Sequence, residues 1–300
     1  MSAQDDLAEE FEARRPRLRA VAYRMLGSFS EADDAVQETW LRLSRTDADD
    51  VDNLTAWLTT VVSRICLDQL RSRTARREDS LETRLPDALV TDDDARPDRH
   101  SDPEQEAFLA DSIGVAMLVV LDELAPAERL AFVLHDLFVL PFADIAPIVD
   151  RTPEAARQLA SRGRRRVQGE RVVPDADLDE QREVVEAFLA AAHDGDFDRL
   201  LAILDPDVVL RADMGDVPER VPRVVRGAEA VAGRALIYRR LDLEMHPVLV
   251  NGAAGILVTR QGRPFSLSSI TVRGGRIVTM EFLADPERLE RMDLLALADR

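Results

Sequence analysis

The chain has 300 residues, 46% of them hydrophobic and 32% charged, a formal net charge of −18 and one cysteine, Cys66. This length suggests about two domains of roughly 150 residues each, and a lone cysteine excludes an internal disulfide framework. The chain has no apolar run of about 18 residues, which argues against a membrane-spanning helix. The charged stretch Met1–Arg19 lacks the apolar segment of a signal peptide, so a cytoplasmic protein with no membrane partner is expected.

Residues 5–75 read as helices. Phe11, Leu18, Val21, Ala22, Met25 and Leu26 recur at helical spacing until Gly27-Ser28 interrupts them. Ser30 is the expected N-cap of the next helix, with Glu31, Asp33 and Asp34 in its first turn. That helix runs to about Leu43, and its polar face of Asp33, Asp34, Gln37, Glu38 and Arg42 could dock on a partner or simply face water. An aspartate-rich loop follows, then a third helix from Leu54 to Arg73. Its apolar stripe is Leu54, Leu58, Val61, Val62, Ile65 and Cys66, and its other face carries Thr60, Ser63, Arg64 and Arg71.

Residues 76–105 are acidic, contain three prolines and hold few large apolar side chains, which is the composition of a linker. Helical periodicity returns over 106–170. Within it, Pro141–Asp150 reads as a short helix and Arg151-Thr152-Pro153 as a turn with Thr152 as N-cap and Pro153 opening the next helix. Glu154–Val167 is that second helix. Two short helices with a tight turn, the second basic, fit a helix-turn-helix. Arg157, Gln158, Ser161, Arg162 and Arg165 are the candidates to meet DNA. The same pattern also describes a helical hairpin with a solvated arginine face.

Charge distribution favours the DNA reading. Residues 151–173 hold seven arginines against two glutamates, in a chain that is otherwise net acidic. A short basic stretch in an acidic protein suits one that reads DNA only when a larger partner holds it there. All 39 basic residues are arginine, for which a GC-rich coding sequence is the plainest cause.

After a short tether at Pro174–Glu180 the period changes. One helix, Glu183–Ala192, precedes alternating runs at Asp207–Arg211, Pro222–Arg226, Leu243–Val250, Gly255–Arg260, Phe265–Val272 and Arg276–Phe282. Gly274-Gly275 marks a hairpin between the last two. The expected fold class is therefore multidomain: two all-α modules followed by an α+β domain.

Glu31–Leu43 (EADDAVQETWLRL) and Ala56–Arg73 (AWLTTVVSRICLDQLRSR) resemble regions 2.2 and 2.3–2.4 of the extracytoplasmic-function, or group IV, sigma factors of the sigma-70 family. Pro126–Arg166 resembles their domain 4 with its helix-turn-helix. The resemblance implies a sigma region 2 domain at 5–75, an acidic linker at 76–105 and a region 4 domain at 106–171. It further implies a factor that directs RNA polymerase core to promoters. Asp33, Asp34, Gln37, Glu38 and Trp40 would bind the β′ clamp helices. Arg64, Arg71 and Arg73 would lie at the −10 element, whose melting captures an unstacked base. The Glu154–Val167 helix would enter the −35 major groove, and the β flap is a further implied partner.

Residues 178–290 resemble a SnoaL-like, NTF2-type cone, carried by the stretch AAHDGDFDRLLAILDPDVVLRAD. Group IV members with such an extension share a Trp-Leu-Pro-Glu-Pro-like motif, here Arg84-Leu85-Pro86-Asp87-Ala88. They also share an Asn-Pro-Asp-Lys-Leu-like tail, here Asp285-Pro286-Glu287-Arg288-Leu289. Their Asp-Gly-Gly-Gly-Lys-like loop survives only as Asp213-Met214-Gly215-Asp216. Leu85, Pro86, Asp285, Pro286 and Leu289 are therefore expected at an interdomain contact, through which the extension regulates the sigma modules in cis.

SnoaL relatives include cyclases and isomerases, so a sensor or enzyme is the alternative. Asp207, Asp213 and His246 would be its candidates. They form no defensible acid–base pair, and turn or strand-end roles account for each. His100, His135 and His193 are scattered and show no metal-ligand spacing. No cofactor, metal or catalytic residue is expected, and a small molecule in the C-terminal cavity is a possible partner.

Overall fold

The computed structural model describes residues 3–46, 53–76, 84–92, 114–169, 177–215, 223–238, 243–292, 294 and 297. They fall into two compact units. The first takes its described residues from 3–76 and 120–169, the second from 84–92, 114–119 and 177–297. Helical modules precede an α+β sheet domain, which is the fold class expected from the sequence. No helix among the described residues is long and apolar enough to cross a membrane.

The first unit opens with α1 (Ala3–Glu12), α2 (Arg15–Leu26), α3 (Phe29–Leu43) and α4 (Leu54–Arg76). Gly27 ends α2 at φ 72°, a left-handed conformation that a side chain would resist, and its N–H bonds the Tyr23 carbonyl. The N-cap of α3 is Ser28, two residues earlier than expected, and Ser30 lies inside the first turn. Phe11, Leu18, Val21, Met25, Leu43, Leu58, Val62 and Leu67 are buried, so side chains of all four helices close on one core. Ser63, expected on the outer face of α4, is buried too. Cys66 is fully covered, and burial pushes its thiol up to about 12, as expected for an inert core residue.

The unit continues with α5 (Val115–Asp122), whose last residues belong here, and α6 (Pro126–Phe132), which passes into a π-helical turn at Val133–Leu137. Then come α7 (Phe142–Ile145) and α8 (Pro153–Gly169). Gly163 lets α8 lie close on α6: a Cβ there would meet the Cβ of Phe132 at 3.0 Å.

The second unit is built on a seven-stranded sheet of order β1-β4-β5-β6-β7-β2-β3. Its strands are β1 (Val90–Asp92), β2 (Leu204–Asp213), β3 (Val224–Arg226), β4 (Glu244–Val250), β5 (Ala253–Arg260), β6 (Arg263–Arg273) and β7 (Arg276–Leu283). All pairings are antiparallel except β2 with β7. Helices α9 (Leu178–Asp194), α10 (Phe197–Ile203) and α11 (Ala228–Tyr238) pack on one face, with Val185, Phe188, Leu200, Val231, Ile256 and Ile270 in that core. A second core on the other face joins Val248, Leu257, Leu267 and Leu283 to Leu85, Val115, Val119 and Leu289 of the short terminal helix α12 (Pro286–Arg291) and its surroundings. Helix α9 starts at Leu178 under an Asp177 cap, so 178–180 are helical and not part of a tether. Residues 170–176 and Asp216 lie outside the described residues, as do His100, Pro222 and most of the acidic stretch.

Candidate nucleic-acid interface

Helix α7, the turn at 146–150 and α8 form the helix-turn-helix. Asp150 at φ 56° reverses the chain, and the Arg151 N–H bonds the Ala146 carbonyl at 3.0 Å. Thr152 caps α8 as the sequence suggests, its hydroxyl accepting from the Ala155 N–H at 3.3 Å. Ala156, Ala160, Gly163 and Val167 are buried, so the opposite side of α8 is exposed. On that side Gln158 and Arg165 are exposed and Ser161 half-buried. Arg157 lies over the Phe142 ring, 5.3 Å from its centroid, and Phe142 stacks on His135 at 3.9 Å. Arg162 does not stand free on the outer face. Its guanidinium is 3.0 Å from Glu128. Arg164 bonds Asp136 at 2.6 Å, which raises its pKa, and Arg166 is 3.6 Å from Glu123.

The π turn sets up this region. Its i→i+5 bond joins the Phe138 N–H to the Val133 carbonyl at 3.2 Å, turning Asp136 toward α8 and His135 toward Phe142. Val139 follows at φ 60° and is 81% exposed, a conformation that β-branched residues rarely adopt. Phe138 is buried beneath two arginines of α2: Arg24 at 4.8 Å and Arg17 at 5.6 Å from its centroid. The Arg129 Nε donates to the Arg24 carbonyl at 3.1 Å. Arg64 of α4 donates to the Pro147 carbonyl at 3.0 Å.

The other expected −10 residues are also engaged. Arg73 pairs with Glu31 and donates to the Leu26 carbonyl at 3.3 Å. Arg71 is exposed, 3.7 Å from Asp68. On α3, Asp34 and Gln37 are exposed, and Asp33, also exposed, accepts from Arg19 at 2.7 Å. Glu38 pairs with Arg42 at 3.0 Å, and Trp40 rests on Phe11 at 5.0 Å. Among these residues Asp34 and Gln37 leave the most solvent-facing polar surface.

In the second unit the two short motifs meet. The buried Asp213 carboxylate accepts from the Leu85 N–H at 2.9 Å and from Arg288 at 2.5 Å. Arg288 also donates to the Pro86 carbonyl at 3.2 Å and to Asp87 at 3.1 Å. Leu85, Pro86 and Leu289 are buried. Asp285 caps α12, accepting from the Glu287 and Arg288 N–H groups, and Pro286 is the first residue of that helix. Beyond this, Val90–Asp92 pairs with β4 as an edge strand, and Asn251 accepts from the Leu89 N–H at 2.8 Å. The sequence names both motifs but not Arg288 as the group that links them; a buried cation paired with an aspartate 75 positions away gives no periodic signal.

The three residues considered for catalysis do not converge. Asp213 is committed to Leu85 and Arg288, Asp207 is exposed, and His246 bonds Thr259 at 3.0 Å. One buried acid was missed. Glu281 on β7 is 1% exposed and sits 3.5 Å from Arg211 on β2. Burial raises its pKa from 4.5 to about 7, against the lowering effect of Arg211. The folded chain therefore holds a proton that the unfolded chain has released. Stability should be greatest below about pH 4.5 for this group and should fall as pH rises toward 7, by on the order of 3 kcal/mol. Denaturation of the wild type and Glu281→Gln across pH 4.5–7.5 checks this: the substitution should flatten the profile.

The family described as Sigma-70 region 2 matches residues 11–76, and Sigma-70, region 4 matches residues 115–167. The chain is 38% identical over 293 residues to the ECF RNA polymerase sigma factor SigJ of Mycobacterium tuberculosis, covering 93% of this chain and 92% of that one. It is 33% identical to the probable ECF sigma factor SigI of the same species, covering 97% of each. The crystal structure of Mycobacterium tuberculosis SigJ superposes with a TM-score of 0.74 at 35% identity, over 96% of this chain and 99% of that one.

Proposed function

Since the chain belongs to the extracytoplasmic-function sigma-70 family and directs RNA polymerase to promoters, we propose that its C-terminal domain regulates that activity in cis by holding the linker between the two sigma modules. The observation that carries this reading is the strap: Leu85–Asp92 is bonded to the second unit through Asp213, Arg288, Asn251 and a strand pairing with β4. The linker joins the two DNA-reading modules, so fixing it restricts the distance they can reach. A −10 and a −35 element lie roughly 25 base pairs apart, about 85 Å at 3.4 Å per step. In the first unit Arg64 of α4 touches Pro147 of the helix-turn-helix, so α4 and α8 cannot serve both elements at once in this arrangement. Promoter engagement requires them to separate, and the strap opposes that.

In this reading Asp33, Asp34, Gln37, Glu38 and Trp40 of α3 meet the β′ clamp helices. Arg64, Arg71 and Arg73 serve the −10 element, α8 the −35 element, and the β flap carries the region 4 module. The factor works in the cytoplasm, where polymerase and promoter are. The C-terminal domain is not an enzyme here, because its best-placed acid, Asp213, is consumed by structural bonds. A small molecule in that domain would act by shifting the balance between the held and released strap.

Deleting residues 286–300 removes Arg288 and tests the reading. Run-off transcription at limiting sigma should rise relative to the full chain, and small-angle scattering should show a larger particle. Fluorescence of Trp40 and Trp57, both in the first unit, should stay unchanged. Identical transcription and scattering would remove the cis-regulatory reading and leave the sigma activity intact.

A further inference from the structure

The way α8 distributes its arginines narrows what the helix can read. At about 100° per residue, the buried positions Ala156, Ala160, Gly163 and Val167 define the inner side of α8. Glu154, Gln158, Ser161 and Arg165 fall in one stripe opposite to it. Glu154, Gln158 and Arg165 are exposed, and none of the four side chains has a hydrogen bond or ion pair among the described residues. The remaining arginines lie on the two flanks and are held by the body of the domain. On one flank Arg162 is 3.0 Å from Glu128 and Arg166 is 3.6 Å from Glu123. On the other Arg164 is 2.6 Å from Asp136 and Arg157 lies over Phe142.

Resting on the assignment of α8 to the −35 element, we propose that Glu154 and Gln158 are its specificity-determining residues and that Glu128 and Asp136 are positioning residues that keep Arg162 and Arg164 off the bases. The chemistry follows from position. The N-terminal residues of a recognition helix reach base edges, and those further along meet the backbone. Glu154 and Gln158 occupy the first turns, whereas Arg165 lies three turns in and suits a phosphate. A carboxylate accepts from the cytosine N4 amino group, and a glutamine amide pairs with the N6 and N7 of adenine. One helical turn separates the two residues, about 6 Å along the axis, or about two base steps at 3.4 Å each. The −35 element should therefore contain a cytosine and an adenine within about two steps of each other. An acidic reader also repels phosphate, so it costs affinity for non-cognate DNA, in keeping with the acidic chain.

The experiment is transcription by holoenzyme, made from the full chain and core polymerase, on a promoter library randomised at the −35 element. Wild type should select the cytosine and the adenine. Glu154→Ala should lose the cytosine preference alone, and Gln158→Ala the adenine preference alone, each by about 5- to 100-fold. Unchanged preferences in both variants, or a uniform loss at every position, would overturn the proposal. If wild type itself shows no −35 preference, the assignment of α8 to that element fails instead. For the positioning residues, Glu128→Gln and Asp136→Asn should each steepen the dependence of promoter binding on log salt by about one, because a freed arginine reaches a phosphate. Slopes equal to wild type would remove the positioning role.

Discussion

Replacing Arg288 by alanine is expected to destabilise the second unit by about 3–5 kcal/mol, the usual cost of leaving a buried charge without its partner. Arg288 is 8% exposed and gives hydrogen bonds to Asp213, Asp87 and the Pro86 carbonyl. Asp213 is 2% exposed, and after the substitution the Leu85 N–H and the Gly215 N–H would be the remaining donors to its carboxylate among the described residues. Arg288→Lys should recover part of the loss through a single point charge but not the fork that spans two acids and a carbonyl. Hydrogen exchange on β1, β4 and β7, compared between wild type and both variants, measures the effect where it should fall. Protection in β1 should drop most, because that edge strand pairs with β4 alone in the sheet and is otherwise anchored through Leu85 and Leu89. Equal protection in Arg288→Ala and wild type would show that the buried pair contributes nothing net.

The second large effect is expected at Arg129 in the first unit. This side chain is 1% exposed, pairs with Asp122 at 2.8 Å and donates to the Arg24 carbonyl at 3.1 Å. Burial lowers its pKa, and Asp122 works against that shift. It also ties the region 4 module to α2, next to the stack of Arg24 on Phe138. Arg129→Ala leaves a cavity, an unpaired carboxylate and an orphaned carbonyl, and should cost about 3–5 kcal/mol. Arg129→Met fills the space and should cost less, and adding Asp122→Ala to it should recover more, because a fully apolar replacement of a buried pair is often near neutral. Urea denaturation followed by the fluorescence of Trp40 and Trp57 reads the first unit alone, since both tryptophans lie there. A loss under 1 kcal/mol in Arg129→Ala would mean that the closed contact is not held by this residue.

Periodic features were legible in the chain. The stripes of α2, α3 and α4 follow a 3.6-residue period, and the hairpin at Gly274-Gly275 appears where two alternating runs meet, with both glycines at positive φ. Thr152-Pro153 marked the start of α8 to the residue, because a cap and an N-terminal proline are local signals. Helices α10 and α11 and strand β1 were not read as elements. Helix α10 and strand β1 are short, and β1 sits in an acidic stretch whose composition suggests no strand; it forms because the edge of β4 offers unpaired backbone groups to whatever segment is held beside it.

The sequence by itself determined the two helical modules, the α+β domain after them, the helix-turn-helix and the family, since each rests on local periodicity, caps and motifs within a few tens of residues. Only the tertiary structure decided which charges remain available. Arg162, Arg164 and Arg165 are neighbours in sequence, yet two are held by acids from earlier helices and one faces outward. Likewise Asp213 and Arg288 lie 75 positions apart and Leu85 lies 128 positions before Asp213, and the sheet brings all three together. Pairing over such separations depends on which faces the core buries, and burial makes each partner necessary: a charge shielded from water must find its counter-charge wherever the chain has placed it.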